Sequence, residues 1–338
     1  MSWSHHYSAR GKIRTAGVNM RCKKIILTLL IAALAIALQV GLSNAEGGKS
    51  GAPFVVVLGI AQDGGYPQAG CQKACCARAW EDPAKRRHAS CVAIVDPQTS
   101  QRWIIDATPD FREQLRLLDG IFPVTEWPGI TGIFLTHGHM GHYTGLMHLG
   151  REAMGTKGIP VYAMPRMEVY LRGNGPWDQL VRLENIVIRP LQDGVPVSLN
   201  DRLTITPFVV PHRDEYTGTV GYRIEGPAGS VIYISDIDKW ERWDVSIVEV
   251  VSQVSRAYVD GTFYADGEIP GRSIADIPHP FIEESMRLFE SQPATEKAKI
   301  RFLHMNHTNP AIDPDSEARR QIEAAGFGVA DELEIFEL

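Results

Sequence analysis

Short apolar runs rich in valine and isoleucine recur along the chain from residue 54 onward. Runs of about four to eight such residues, bounded by Gly, Pro, Asn or Asp, are typical of β-strands. The pattern predicts strands at 54–59, 91–95, 102–105, 132–135, 186–189, 203–210, 230–234, 257–259 and 300–303.

Helical patterns lie between several of these runs. They predict helices near 109–118, 143–150, 165–172, 280–291 and 315–325. The last one follows Asp313-Pro314-Asp315-Ser316, a start signal with proline in the first turn. Because the strands outnumber the helices and the helices are dispersed, we expect a layered α/β protein in which helices cover sheets.

The chain ahead of the first strand has the pattern of an export signal. Basic residues within 21–24 precede an apolar run over 25–42, and Ser43-Asn44-Ala45 then offers small residues for cleavage. The pattern predicts that residues 1–45 are a signal peptide and that the folded protein is periplasmic or secreted from a bacterium.

Two features of this segment leave alternatives open. A bacterial start at Met20 would make the signal conventional, in which case residues 1–19 are a mis-called start. The apolar run is about 18 residues long, near the lower limit for a membrane span, so an uncleaved anchor is the rival interpretation. Residues 46–53 have the composition of a flexible linker, and no further linker divides 54–338, so we expect a single domain there.

Composition narrows the choice of partners. The 338-residue chain is 44% hydrophobic and 22% charged, and its formal net charge is −6. An acidic balance gives no basic footprint for nucleic acid. We therefore expect a small-molecule substrate, no nucleic-acid partner, and membrane contact only if the N-terminal segment stays uncleaved.

Three histidines stand within six positions, in Thr136-His137-Gly-His139-Met-Gly-His142. His137 and His139 are two apart, so both imidazoles can point to one spot from a strand end or tight turn. His142 opens a helix and can face an adjacent spot. Imidazole is a ligand suited to zinc, iron or manganese, and the spacing predicts a metal site.

Further polar residues directly follow predicted strands, where a sheet delivers catalytic groups. Each one alone is weak evidence, since an acid after a strand is more often a turn or cap residue. Their order and context together are much stronger. These residues are Asp106, His212, Asp236, Asp260 and His307.

The order of these residues resembles the metallo-β-lactamase superfamily, and within it the group of protein B of pyrroloquinoline quinone biosynthesis. The resemblance implies an αββα sandwich, two mixed sheets face to face with helices outside and a metal site at one edge. The chain keeps histidines that this group has largely lost, which brings it closer to a working metallohydrolase. The matching segments are 58–71, 106–112, 260–263, 277–280 and 304–310.

The resemblance also assigns the ligands. His137, His139 and His212 would form a first metal site. His142 and His307 would contribute to a second, with Asp236 as the bridge.

The second site departs from the superfamily at one position. Gly141 stands where the superfamily has a ligand aspartate, so this site is short of one carboxylate. Asp63, in the loop after the first strand, is our candidate substitute, although it could equally be a solvated turn residue. We expect one or two Zn²⁺ ions, with Mn²⁺ or Fe²⁺ as alternatives.

Other residues would act around the metals. We expect Asp236 to orient a metal-bound hydroxide or accept its proton. We expect Asp106 to hydrogen-bond a ligand histidine and fix its tautomer. His279 and Asp260 could line the pocket or donate a proton to a leaving group.

The cysteines permit two interpretations. Cys71, Cys75, Cys76 and Cys91 are even in number, which in an exported chain permits two disulfides. The cluster over 71–76 also permits a structural zinc site, completed by His88 or Cys91. It resembles the zinc-binding segment of the biosynthetic group, with the middle ligand displaced to Cys75.

Three classes of function follow. The first is an exported metal-dependent hydrolase that uses activated water on an ester, lactone, lactam or phosphodiester. The second is an iron-dependent redox enzyme related to pyrroloquinoline quinone biosynthesis. The third is a carrier that has lost turnover, for which Gly141 is the main support.

Overall fold

Two seven-stranded sheets form the centre of the protein in the computed structural model, which describes residues 51–269, 271, 273 and 277–338. The first sheet has the order β14-β1-β2-β3-β4-β5-β6 and the second β13-β12-β11-β10-β9-β8-β7. The strands are β1 (Phe54–Gly59), β2 (Cys91–Asp96), β3 (Gln101–Ile105), β4 (Gly132–Phe134), β5 (Ile159–Ala163), β6 (Ile186–Pro190), β7 (Val197–Ser198), β8 (Thr204–Val210), β9 (Thr219–Glu225), β10 (Ser230–Ile234), β11 (Arg256–Asp260), β12 (Ile300–Leu303), β13 (Gly328–Val329) and β14 (Ile335–Glu337).

Helices flank the sheets, and short 3₁₀ segments occur in several connections. The α-helices in the described residues are α1 (Ala74–Glu81), α2 (Phe111–Ile121), α3 (Met140–Tyr143), α4 (Pro165–Gly173), α5 (Trp177–Arg182), α6 (Ile247–Ser252), α7 (Ile282–Leu288), α8 (Ala294–Lys297) and α9 (Glu317–Ala324).

The first sheet is apolar on both faces, and strand alternation divides its side chains between two cores. Val55 and Val57 belong to the core between the sheets, whereas Val56 and Leu58 pack on the other face under the helices. The sheets meet where the rings of Phe134 and Tyr222 lie 5.6 Å apart, edge to face. The predicted αββα sandwich is confirmed.

Chain direction brings the polar residues to one edge. β10, β11 and β12 run parallel, and β3 and β4 run parallel in the other sheet. The carboxyl ends of parallel strands meet at the same edge, so the segments that follow these strands converge there. The loop after β1 reaches the same place, where Ala61 pairs with Met305 beyond β12.

The N-terminal predictions lie outside the described residues. The proposed signal peptide, the possible mis-called start and most of the linker fall within residues 1–50. Gly51–Leu338 form one compact unit. None of the helices in the described part of the chain has the length and apolar character needed to span a bilayer.

Candidate metal centre

Three histidines form the first group of possible ligands, and they come from the two sheets. His137 and His139 follow β4, and His212 follows β8. Their nearest ring nitrogens all lie within 4.8 Å of one another. His137 Nε2 and His139 Nδ1 are only 2.9 Å apart. The structure thus brings together the residues expected for the first site.

A second group lies beside the first and shares Asp236. Asp236 Oδ2 is 3.0 Å from His142 Nε2 and 3.1 Å from His304 Nε2. The same oxygen is 3.8 Å from His137 Nε2, and Asp236 Oδ1 is 3.7 Å from His212 Nε2. Asp236 therefore stands between the two groups, as a bridging carboxylate would.

The structure corrects the expected place of His307. Its ring lies with the cysteines, where Nδ1 is 3.4 Å from Cys76 Sγ. His304, three residues earlier, is fully buried and takes the position assigned to His307. His304 directly follows β12, so its side chain leaves the strand end toward Asp236, while the chain has turned away by His307.

The fit to a metal can be judged from atoms that lack partners. His142 Nε2, His212 Nε2, His304 Nε2 and Asp236 Oδ2 are buried and have no hydrogen-bond partner. Such atoms are costly unless something else satisfies them. A cation about 2.0–2.2 Å from two ligands at 90–110° would set those ligands about 2.8–3.6 Å apart, which suits the short separations above. The donor set of imidazoles and one carboxylate fits a divalent metal.

A hydrogen-bonded layer outside the cluster fixes the rings. Asp106 Oδ2 accepts from His142 Nδ1 at 2.7 Å. The other oxygen of Asp106 accepts from the Thr136 backbone N–H at 2.8 Å, and Thr136 Oγ1 lies 3.0 Å from His137 Nδ1. Such outer partners hold a ligand histidine in one tautomer and orientation. Asp106 has the geometry predicted for it.

His279 and Asp260 form a second layer on the other side. His279 Nδ1 is 2.8 Å from Asp260 Oδ2, and Asp260 Oδ1 accepts from the Thr262 hydroxyl at 2.7 Å. Thr262 Oγ1 is also 3.1 Å from His304 Nδ1. This network holds His279 Nδ1 3.8 Å from Asp236 Oδ1.

Two acidic residues at the site were not predicted. Glu215 Oε2 is 2.9 Å from His139 Nε2. Asp238 Oδ1 is 3.4 Å from His212 Nδ1, and Arg242 donates to the other oxygen of Asp238. Each acid lies next to the ring nitrogen of a candidate ligand histidine that is directed away from the cluster. Asp238 follows Asp236 by two positions after a strand, which was a usable signal, whereas Glu215 lies in a loop with none.

Burial and charge set the protonation of the cluster. Burial lowers the pKa of His137 well below its usual range. Burial acts to raise the pKa of Asp236, but the surrounding imidazoles, above all His304 and His142, hold it well below its usual range. Neutral imidazole and ionised carboxylate are the forms that bind metal. His142 differs, because Asp106 and Asp236 outweigh its burial and raise its pKa.

The backbone is strained at three of these positions. Asp63, Asp106 and His304 have positive φ angles of 32°, 70° and 61°. This region is uncommon for residues other than glycine and occurs often at functional sites. The strain marks the same edge of the sandwich that the side chains do.

A separate cluster joins the cysteines to His307. Cys71 Sγ and Cys75 Sγ are 3.8 Å apart, and His307 Nδ1 is 3.4 Å from Cys76 Sγ. A tetrahedral zinc with bonds of about 2.3 Å to sulfur and 2.0 Å to nitrogen gives S···S and S···N edges of about 3.8 and 3.5 Å. Burial raises the pKa of the Cys76 thiol to about 12, and a cation would reverse this by stabilising the thiolate.

The cluster corrects the expected fourth ligand. All four cysteines in the described residues are free thiols, so no disulfide joins them. Cys91 is buried in β2, where its Sγ lies 3.5 Å from Asp106 O. It is not part of the group formed by the other three cysteines and His307. His88 is engaged by Glu332, with Nδ1 3.1 Å from Oε1.

Sequence comparisons agree with this architecture. The family model described as "Beta-lactamase superfamily domain" matches residues 101–311. Coenzyme PQQ synthesis protein B of Xanthomonas campestris pv. campestris (strain B100) is 28% identical over 309 residues, which covers 83% of this chain and 99% of that protein. The protein of the same name from Methylorubrum extorquens (strain PA1) is 26% identical, with 82% and 97% covered.

Solved structures share the fold. Zn²⁺-bound PqqB from Methylobacterium extorquens matches with a TM-score of 0.69 at 24% identity, covering 84% of this chain and all of that one. A diphosphatase from the PhnP family matches with a TM-score of 0.59 at 24% identity, covering 85% and 97%. At this identity the likeness establishes the fold.

Proposed function

The chain belongs to the β-lactamase superfamily, and we propose that it is a metal-dependent hydrolase whose histidine and aspartate cluster holds one or two zinc ions. The substrate class is an ester, lactone, lactam or phosphodiester. Mn²⁺ and Fe²⁺ suit the same ligands and are the alternative metals.

One observation carries this proposal. Four buried ligand atoms, on His142, His212, His304 and Asp236, face a common region and have no hydrogen-bond partner. Leaving several buried polar groups unpaired is costly, so a site of this kind is maintained for a ligand that satisfies them together. A cation does so because each of these atoms can donate an electron pair to it, whereas an apolar ligand cannot satisfy them.

Different residues of the cluster would have different roles in hydrolysis. A bound metal supplies hydroxide at neutral pH by lowering the pKa of its water. Asp236, an ionised carboxylate between the two groups of histidines, is placed to orient that nucleophile or accept its proton. Glu215 and Asp106 hold His139 and His142 in fixed tautomers, which keeps the ligand nitrogens directed inward.

His279 is our candidate for the group that protonates the leaving group. Its Nδ1 is committed to Asp260, so a proton can be delivered only from Nε2. Asp260 in turn accepts from the backbone N–H groups of Ile237 and Thr262, which prevents it from turning away. We assign His279 the role of general acid because this network holds its ring in one orientation beside the candidate ligands.

A role in pyrroloquinoline quinone synthesis is the second candidate. Its support is the similarity to coenzyme PQQ synthesis protein B of two bacteria, proteins that this chain covers almost completely in length. An iron ion with histidine and carboxylate ligands and an open position could then activate oxygen. Iron in the isolated protein with oxygen consumption would favour this candidate, and zinc or manganese without it would favour hydrolysis.

Export is part of the proposal and rests on the N-terminal sequence. Basic, apolar and small residues follow one another over 21–45. We expect the mature protein to begin near Glu46. Intact mass measurement of material from the host checks this, and a membrane-bound protein that starts at Met1 or Met20 would overturn it.

The hydrolase proposal is tested by metal analysis and a substrate panel. The purified protein should contain zinc or manganese and turn over at least one ester, lactone, lactam or phosphodiester. His137→Ala and His139→Ala should each lose most metal from the histidine cluster and all turnover, because two remaining imidazoles cannot close the first site. Full metal content in both variants would contradict the assignment.

A further inference from the structure

We propose that Asp63 is a metal ligand that replaces the missing carboxylate of the second site, and that Gly141 is required to make room for it. This inference rests on the proposed function, because it concerns the second metal of the same centre. In the superfamily pattern the ligand oxygen would come from helix α3 at position 141. In this protein it would come from Asp63, in the loop after β1.

The first argument is occupancy of space. A Cβ atom built on Gly141 would lie 2.3 Å from Asp63 Oδ1 and 2.4 Å from Asp63 Cα. Distances below 3.0 Å are not found for real Cβ atoms, so any side chain at 141 would displace Asp63. The carboxylate of Asp63 thus fills the volume that a side chain at 141 would occupy.

Backbone conformation does not explain the glycine. Gly141 lies within α3 and is not one of the glycines with positive φ. An L-residue could therefore adopt its conformation, and alanine is a better helix former. What excludes a side chain at this position is the neighbouring loop.

The second argument is the donor set around Asp63. One oxygen of Asp63 and one ring nitrogen each of His142 and His304 lie within 4.8 Å of one another. Asp63 Oδ1 is 3.7 Å from His142 Nε2. His142 Nε2 and His304 Nε2 are the buried atoms without hydrogen-bond partners, and Asp236 approaches both. Asp63 is the carboxylate that completes this group.

The third argument is how the loop is held. Gln62 N–H donates to Met305 O at 2.9 Å, and Met305 N–H donates to Ile60 O at 2.8 Å. These bonds join the segment before Asp63 to the segment that carries His304. The two ligands are therefore positioned relative to each other by the backbone.

Asp63 lies in a backbone β-turn over residues 62–65, but its side chain does not make the hydrogen bond of an Asx turn. In a turn, an aspartate side chain accepts from the backbone N–H two residues later. Here that N–H, of Gly65, donates instead to Gln62 O at 2.9 Å. The Asp63 side chain is 46% exposed and directed at His142, so a second ion would retain access to solvent and substrate.

The test uses the purified full-length chain with Zn²⁺ as the probe, and measures stoichiometry and affinity. We expect the wild-type protein to hold two ions in the histidine cluster and one at the cysteines. Asp63→Asn keeps the side-chain size but weakens the ligand, and should lower affinity for one ion of the pair by at least the roughly 10–100-fold that loss of an outer-layer partner costs.

Two further variants separate a ligand from a general effect. Gly141→Ala keeps every ligand, yet should lose the same ion because its Cβ displaces Asp63. Asp201→Asn removes an exposed turn carboxylate and should bind zinc as the wild type does. Thermal unfolding of each variant confirms that it is folded.

The outcomes distinguish the inference from the proposed function. Two tightly bound ions in Asp63→Asn overturn the role of Asp63 and leave a two-metal hydrolase without it. A single ion in the wild-type histidine cluster also overturns that role and leaves a one-metal hydrolase. Loss in Asp63→Asn with wild-type binding in Gly141→Ala supports the ligand and overturns the space argument. No ion at all in the wild-type histidine cluster overturns the proposed function itself.

Discussion

His304 and His307 are three residues apart in the chain, but their rings belong to two different ligand clusters. His304 Nε2 is 3.1 Å from Asp236 Oδ2, and His307 Nδ1 is 3.4 Å from Cys76 Sγ. Met305 between them is hydrogen-bonded to the loop after β1. One short segment therefore supplies both sites and fixes their relative position.

This relationship predicts different losses in two matched variants. His304→Ala should remove an ion from the histidine cluster and abolish turnover, because an imidazole facing Asp236 is lost. His307→Ala should release the ion at the cysteines, and three thiolates would remain without the fourth ligand of a tetrahedral site. Metal analysis after dialysis checks both. If His307→Ala lost the ion beside Asp236 and kept the one at the cysteines, the assignment of the two clusters would be reversed.

The contribution of His279 to the rate of hydrolysis should depend on whether the leaving group needs a proton to depart. His279→Ala should slow hydrolysis of a substrate with a basic leaving group by about 10²–10⁴-fold. The loss should be much smaller with a nitrophenolate, which departs without a proton.

Asp260→Asn is the matched variant for the same network. It weakens the contact that fixes His279 Nδ1 and should show the same dependence on the leaving group, more weakly. Zinc content should stay unchanged in both variants. Equal losses for both classes of leaving group would argue for a structural role only.

Glu215 should act on metal affinity through His139. Glu215→Gln replaces a charged partner of His139 Nε2 with a neutral one, which makes His139 a weaker ligand. We expect roughly 10–100-fold weaker binding at the first site. Competition with a chromophoric chelator measures this. As a control, Arg151→Gln removes an exposed charge that pairs with Glu152, and it should bind zinc as the wild type does.

The pair of His88 and Glu332 predicts a pH dependence of stability. Burial acts to lower the pKa of His88, but its hydrogen bond with Glu332 outweighs this, so the pKa is raised above its ordinary value of 6.5. The stabilisation of the folded state by this pair is therefore fully present below about pH 6.5, and it is lost as the pH rises through the raised pKa of His88. Glu332→Gln should lower the free energy of unfolding by about 1 kcal/mol or less at pH 6. The effect should shrink at pH 9, and a larger loss there would contradict this account.

The sequence was informative where structure is local. The spacing of His137, His139 and His142 identified three members of the cluster, because one turn holds them all. Nine predicted strands correspond to observed ones, but five strands of the described residues were missed: β5, β7, β9, β13 and β14. β5 carries Pro160 at its second position, which argues against a strand, and β9 contains Gly221 and Arg223 in its interior.

Tertiary structure decided the rest. The segment 304–307 holds two histidines, and only the positive φ of His304 and the contacts of Met305 determine which one faces Asp236. Glu215 reaches His139 from a loop 76 residues away in sequence, and such pairings leave no local pattern. The complementarity of Gly141 and Asp63 is likewise visible only when the loop and helix are placed together.

The central claim is that this edge of the sandwich is a metal centre distinct from the cysteine cluster. Anomalous scattering from a crystal of the zinc-loaded protein, measured on both sides of the zinc edge, tests it most directly. We predict one peak among Cys71, Cys75, Cys76 and His307, and two peaks on either side of Asp236. A peak at the cysteines with none near Asp236 would contradict the account.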